Sequence, residues 1–204
     1  FANEELRPKI PRTVRHKDVF LFHAMSYPDP NTSLQELKLT IDALYLASVD
    51  RITLVLPYMS YLRQDRKDEP RVPISARSVA DDLQRPGVER ILTMDLHFPQ
   101  AQGFFKIPVD NLYGSKVLAP YFKEELGDEL RNTLVISPDY GGLERARGFA
   151  KDLGVSRRVG YIDKRRTAPN EAHIWNFVGC EPRNRTVIVY DDLIDTGGSL
   201  IKAG

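Results

Sequence analysis

Apolar positions recur along the chain in two alternating rhythms, short continuous runs and longer stretches of helical period. Val19 to Phe22 is a short run, and Leu34, Leu37, Ile41 and Leu44 follow it at i, i+3, i+7 and i+10. That spacing is one face of a helix. Thr32 with Gln35, or Ser33 with Glu36, offers a capping box for its start. Ile52 to Leu56 (ITLVL) is continuously apolar, the pattern of a parallel strand covered on both faces. Ala76, Val79, Ala80 and Leu83 predict the next helix, and Ile91 to Met94 the next strand. In the second half a helix over Val117 to Leu126 precedes a strand over Thr133 to Ser137. A helix over Leu143 to Leu153 then leads to strands at Val159 to Ile162, Trp175 to Val178 and Thr186 to Tyr190, with a further helix opening near Gly197. Strands alternating with helices predict an α/β fold built on parallel sheets. Ligands of such sheets sit at the carboxyl ends of the strands, and the unusual polar residues cluster there. Phe104 to Leu112 reads as a connection, which puts a boundary near Asn111 and divides the chain into 1–111 and 112–204.

Composition narrows the class. A chain of 204 residues is long for one domain and comfortable for two small ones. With 42% hydrophobic and 28% charged residues it has material for real cores, so disorder is not expected. Lys and Arg number 29 against 28 Asp and Glu, a net charge of +1. So even a balance argues against broad electrostatic binding to nucleic acid or to an anionic membrane, and any anion must be recognised locally. The single cysteine, Cys180, rules out an intramolecular disulfide and fits a reducing cytoplasm. No apolar run approaches the roughly 18–20 residues of a membrane span. The chain begins at Phe1 rather than Met and stops at Gly204 inside an apparent helix, so the expectation is a piece trimmed at both ends from a longer protein.

The most informative segment is TVIVYDDLIDTGGSL, Thr186 to Leu200. A buried strand runs into two acids, and Asp195, Thr196, Gly197, Gly198 and Ser199 then open a helix. Paired glycines let backbone N–H groups close around a phosphate, and the helix N-terminus adds positive potential. Asp191 and Asp192 at the strand end could hold sugar hydroxyls or a hydrated Mg²⁺. No G-x-x-x-x-G-K-[ST] occurs, so this is not a Walker A loop. The segment resembles the phosphoribosyl pyrophosphate (PRPP) or ribose 5-phosphate loop of type I phosphoribosyltransferases and PRPP synthetases.

Other motifs separate those two groups. PYMSYLRQDRKDEPRVPISAR (Pro57 to Arg77) follows one strand; TMDLH and QGFFKIPVDNLY follow another. SPDYGG (Ser137 to Gly142) and DKRRTAPN (Asp163 to Asn170) come later. In that order, from FANEEL to the last residue, they are similar to the ribose-phosphate pyrophosphokinase (PRPP synthetase) family. The resemblance implies two type I phosphoribosyltransferase-like domains with mainly parallel sheets. It also implies transfer of the β,γ-pyrophosphate of Mg-ATP to the 1-hydroxyl of ribose 5-phosphate, giving PRPP and AMP.

The resemblance implies roles residue by residue. His97, in MDLH, and Asp139, in SPDYGG, match the family's Mg²⁺–ATP residues, with Gly141 and Gly142 letting backbone approach pyrophosphate. Arg63 and Gln64 match its ATP-contacting pair. Phe1, Asn3 and Glu5 match the segment that reaches the adenine of a neighbouring subunit; there the family has Asp or Asn, then Gly, then Glu. Glu4 replaces that glycine, a departure that bears on the backbone turn and on the nucleotide contact. Lys164 and Arg166 match the catalytic loop, where cations over the β-phosphate stabilise charge that grows as AMP leaves. Thr167 to Asn170 suit a mobile lid. Asp191, Asp195, Thr196, Gly197, Gly198 and Ser199, with Arg166, match the ribose 5-phosphate site; Ser199 stands where the family usually has Thr and keeps the hydroxyl.

By the same resemblance, Mg-ATP lies between the two halves and the protein is a homo-oligomer, dimers building a hexamer with a phosphate-activated, ADP-inhibited site between subunits. Two other readings stand beside it. A PRPP-consuming phosphoribosyltransferase explains DDLIDTGGS but gives RQDRKD, MDLH and DKRR no purpose. A non-catalytic regulatory subunit need not keep His97, Asp139, Lys164 and Arg166. His16, His23 and His173 lack metal-ligand spacing and read as structural or surface residues. Trp175 reads as core, and Cys180 as an inert strand-end thiol.

Overall fold

The computed structural model describes residues 2–165 and 174–194. It divides into two compact units, Phe1–Leu112 and Tyr113–Gly204.

In the first unit, β1 (Asp18–Phe22), α1 (Pro30–Leu46), β2 (Arg51–Leu56), α2 (Ser75–Leu83), β3 (Val88–Met94), a 3-10 segment at Pro99–Phe104 and β4 (Val109–Leu112) follow in order. The four strands are parallel and lie in sequence order. Ile52, Leu54 and Leu56 bury one face of β2 against Leu37, Ile41 and Leu44 of α1 and Ala76, Val79 and Leu83 of α2. The expectation that ITLVL is covered on both faces holds for one face only. Phe20 and Phe22 share the other face with Thr53 and Val55 by register, and they are 69% and 68% exposed.

Two local expectations are corrected. The start of α1 is Asp29, not a Thr32 or Ser33 capping box: its carboxylate accepts from the N–H groups of Asn31 and Thr32, and Pro30 occupies the first turn. A proline there gives up an N–H that would have had no helical partner. The segment Phe104 to Leu112 is more than a connection, because Val109 to Leu112 pairs with Ile91 to Met94. VDNL is too short and too polar for a strand period to show.

In the second unit, α3 (Ser115–Leu126), β5 (Thr133–Ser137), α4 (Leu143–Leu153), β6 (Val159–Arg165), β7 (Ile174–Gly179) and β8 (Thr186–Val189) form a sheet of order β7-β6-β5-β8. β5 is buried at every residue. Val135 packs with Ala146, Phe149 and Leu153 of α4, while Leu134 and Ile136 join Ile162 and Phe177. Phe149 anchors the first of these clusters, stacked on Tyr190 at 4.3 Å and meeting Phe122 edge-on at 6.1 Å. β6 and β8 flank β5 in parallel, and β7 returns antiparallel to β6. Strand order therefore reverses at β5, whose neighbours leave on opposite sides. A crevice at the carboxyl ends of β5 and β8 follows from that reversal, the usual ligand position of open α/β sheets. The helix expected near Gly197 lies outside the described residues.

Candidate active site

Two of the segments that the sequence singles out, SPDYGG and the acid pair, follow the carboxyl ends of β5 and β8. Tyr190 is held by its N–H to the carbonyl of Ile136, which ties the end of β8 to β5. Asp191 and Asp192 come next, and α4 supplies a residue the sequence reading passed over. Arg145 Nη1 donates to Asp192 Oδ1 at 2.6 Å and to Asp191 Oδ1 at 3.3 Å. All three side chains are largely enclosed, at 17% exposure for Arg145, 27% for Asp191 and 6% for Asp192. Burial pushes the Asp191 carboxyl up to about 6; the neighbouring Asp192 adds to the rise and Arg145 opposes it.

The loop after β5 closes on the same place. Asp139 is exposed at its tip, and its Oδ1 accepts from the N–H of Gly142 at 3.0 Å. Space is tight at Gly142: a Cβ there would lie 2.5 Å from Ser137 Oγ, forcing that hydroxyl to turn away, and 3.7 Å from both Arg145 Nη1 and Asp191 Oδ1. The SPDYGG loop and the acid pair are thus neighbours across one glycine.

The charge state of Asp191 has a measurable consequence. Its folded carboxyl keeps a proton up to about 6, whereas an unfolded one releases it near ~3.9. Between those values the folded chain holds the extra proton, so stability rises as pH falls through about 6 and the penalty is complete above it. Asp191→Asn should raise stability at pH 7.5 by roughly 1 kcal/mol, allowing for solvent screening. It should also flatten the rise between pH 7 and 5, as read by urea melts across that range.

Phe1, Arg166, Asp195, Thr196, Gly197, Gly198 and Ser199 lie outside the described residues. Lys164 is on β6, in register with Trp175 of β7.

In the first unit the expected residues follow the carboxyl ends of adjacent strands. Arg63 and Gln64 come after β2, and both are exposed. Gln64 is pinned to the start of α2, its backbone carbonyl accepting from the N–H of Ala76 and its side-chain oxygen from the Ser75 hydroxyl. His97 comes after β3, past Asp95, which takes a left-handed φ of 45°. This turn is fixed by β4: Asp95 N–H donates to the Leu112 carbonyl and Leu96 N–H to Asn111 Oδ1. Asn111, read from sequence only as a boundary, therefore shapes the loop that carries His97. Among the described residues no three His, Cys, Asp or Glu side chains converge as a protein-only metal cage.

Near the start of the chain, Glu5 N–H reaches Asn3 Oδ1 at 3.4 Å and Glu4 has φ 67°. The left-handed turn is thus made by a residue that pays for it sterically. Glu4→Gly should stabilise the first unit by about 1 kcal/mol, seen as a higher denaturation midpoint.

Comparison with known proteins places these loops in a family. Residues 1–87 match the model of the N-terminal domain of ribose phosphate pyrophosphokinase, and residues 111–204 match the phosphoribosyl transferase domain. Among curated relatives, the ribose-phosphate pyrophosphokinase of Helicobacter pylori (strain J99) is 46% identical over 203 residues, covering all of this chain and 62% of the relative. That of Ralstonia nicotianae is 48% identical over 204 residues, again covering 62% of the relative. The crystal structure of phosphoribosylpyrophosphate synthetase from Mycobacterium smegmatis superposes with a TM-score of 0.88 at 40% identity, covering the whole of this chain and 64% of that one. The chain spans less than two thirds of the length of these relatives. With two family models matched in order along it and identity of this level throughout, the chain belongs to the ribose-phosphate pyrophosphokinase family.

Proposed function

We propose that the protein transfers the β,γ-pyrophosphate of Mg-ATP to the 1-hydroxyl of ribose 5-phosphate, releasing AMP and PRPP. The observation that carries this reading is the meeting of SPDYGG with Asp191 and Asp192 at the strand-order reversal, in a chain whose first unit matches the N-terminal domain of ribose phosphate pyrophosphokinase. A transferase that only consumes PRPP has no need of that first unit.

Ribose 5-phosphate binds through Asp191 and the segment Asp195 to Ser199, with Arg166 contributing. ATP is held by Phe1, Asn3, Glu5, Arg63 and Gln64. The anomeric oxygen forms a bond to the β-phosphorus while the bond from that phosphorus to the bridging oxygen of AMP breaks. AMP leaves with the electron pair, and the hydroxyl proton is released. Lys164 and Arg166 steady the charge that moves in this step, which needs positioning and neutralisation rather than covalent help. His97 and Asp139 are the residues that would serve as ligands to Mg²⁺. This ion is commonly bound by one or two carboxylates together with substrate phosphates. Bound Mg²⁺ supplies charge neutralisation on the phosphates.

The proposal includes a cytoplasmic setting, in keeping with one cysteine, and a homo-oligomer of dimers building a hexamer. Among the described residues no helix is long and apolar enough to cross a membrane. The test is phosphorus NMR on the full-length protein with ATP, Mg²⁺ and ribose 5-phosphate. One AMP per PRPP, formed only when the sugar phosphate is present, is the expected result. A folded sample without turnover would refute synthesis and favour a regulatory subunit.

A further inference from the structure

We propose that Arg145 is a positioning residue for sugar-phosphate binding, holding the Asp191–Asp192 pair in place and locking it to the SPDYGG loop. This rests on the synthetase reading for the identity of the sugar phosphate; the geometry stands by itself. One nitrogen, Nη1, serves both carboxylates, at 2.6 Å from Asp192 and 3.3 Å from Asp191. The same atom lies 3.7 Å from the position a Gly142 Cβ would take, as does Asp191 Oδ1. Arg145 therefore stands where the loop after β5 and the acids after β8 come together.

Two adjacent carboxylates in an enclosed site repel each other, and without a cation one of them would turn outward or take up a proton. Asp192 is the more deeply enclosed, at 6% exposure, and it accepts the shorter bond. It serves as the anchor, and its own N–H donates to Asp191 Oδ1 at 2.9 Å. Asp191, at 27% exposure, remains the acid that can face a ligand. On this arrangement Arg145 acts through Asp191, without touching the reacting atoms. α4 makes the placement rigid: Ala146, Phe149, Ala150 and Leu153 are all buried in the core of this unit, so the helix that bears Arg145 has little freedom to shift. A lysine could supply the charge, but its ammonium sits on a different stem and would not fall at the point where Arg145 Nη1 meets both carboxylates.

The experiment uses the full-length protein and three variants, Arg145→Lys, Arg145→Met and the pair Arg145→Met with Asp192→Asn. The pair removes one cation and one anion, so its buried charge balance equals that of the wild type and folding is protected. KM for ribose 5-phosphate, KM for ATP and kcat are measured, with calorimetric binding of ribose 5-phosphate alone. Arg145→Lys and Arg145→Met should raise the KM and the dissociation constant for ribose 5-phosphate by about 10- to 100-fold. KM for ATP should change far less. The paired variant should regain thermal stability but not sugar-phosphate affinity. Equal losses for both substrates, unchanged affinity in the single variants, or wild-type affinity in the pair would each overturn the positioning role. A wild type that binds ribose 5-phosphate without making PRPP would sink the synthetase reading while the affinity ratios still decide the role of Arg145. A wild type that does not bind it would sink both.

Discussion

Replacing Lys164 by alanine should lower turnover by about three orders of magnitude or more while leaving both KM values within a small factor. The expectation combines its proposed role with its place in the fold. β6 and β7 are paired from Gly160↔Gly179 to Arg165↔Ile174, and Lys164 is in register with Trp175 in that ladder. Its backbone is therefore held by strand pairing, and truncation of the side chain leaves the ribbon intact. A cation that acts only on charge developing between the β-phosphorus and departing AMP contributes to the transition state and little to the ground state. Its removal should appear in kcat. Lys164→Arg should recover part of the rate, because the charge returns on a different head group. Steady-state kinetics with both substrates varied checks this. Turnover near wild type would remove Lys164 from the reaction, and a loss confined to KM for ATP would make it a binding residue.

What could be read along the chain and what could not divides by range. β2 and β5 were legible because ITLVL and TLVIS are short, mainly apolar runs whose meaning is local. The acid pair was legible for the same reason, as two aspartates directly after a strand. β4 was not, since VDNL gains its identity only from the ladder with β3. The start of α1 was misplaced although its signal was present: Asp29 and Pro30 are an N-cap and first-turn pair, and they outrank the Thr and Ser further on. Arg145 left no trace, because a charged residue in LERARGFAKDL is indistinguishable from a solvated one until its partners, 46 and 47 residues away, are brought to it. Asn111 is hidden similarly, as its partner Leu96 lies across the sheet. Strand runs and loop motifs are encoded in neighbours, whereas the residues that lock one loop to another are encoded in topology.

The second large effect concerns the ribbon itself, where two glycines face each other. Gly179 has φ 131°, and a Cβ on it would lie 2.7 Å from Gly160 Cα and 2.7 Å from the Val159 carbonyl oxygen. Both obstacles are backbone, so no side chain can swing aside. Across the ladder, a Cβ on Gly160 would meet the ring of Phe177, so the aromatic side chain covers the space that glycine leaves open. Gly179→Ala should therefore cost about 3–4 kcal/mol, the sum of a forbidden φ and an overpacked backbone approach. It should shift the ladder that carries Lys164, so turnover should fall with stability. Gly148→Ala is the matched control: Gly148 is inside α4 with nothing within 4 Å of its added methyl. The same substitution there should stabilise by about 1 kcal/mol, through helix propensity alone. Urea midpoints of the full-length variants separate the two. Opposite signs would tie the cost to the backbone conformation and close approach at Gly179 rather than to alanine itself; an unchanged midpoint for Gly179→Ala would mean that β7 can part from β6 at little cost, and that Lys164 is not held by this ladder.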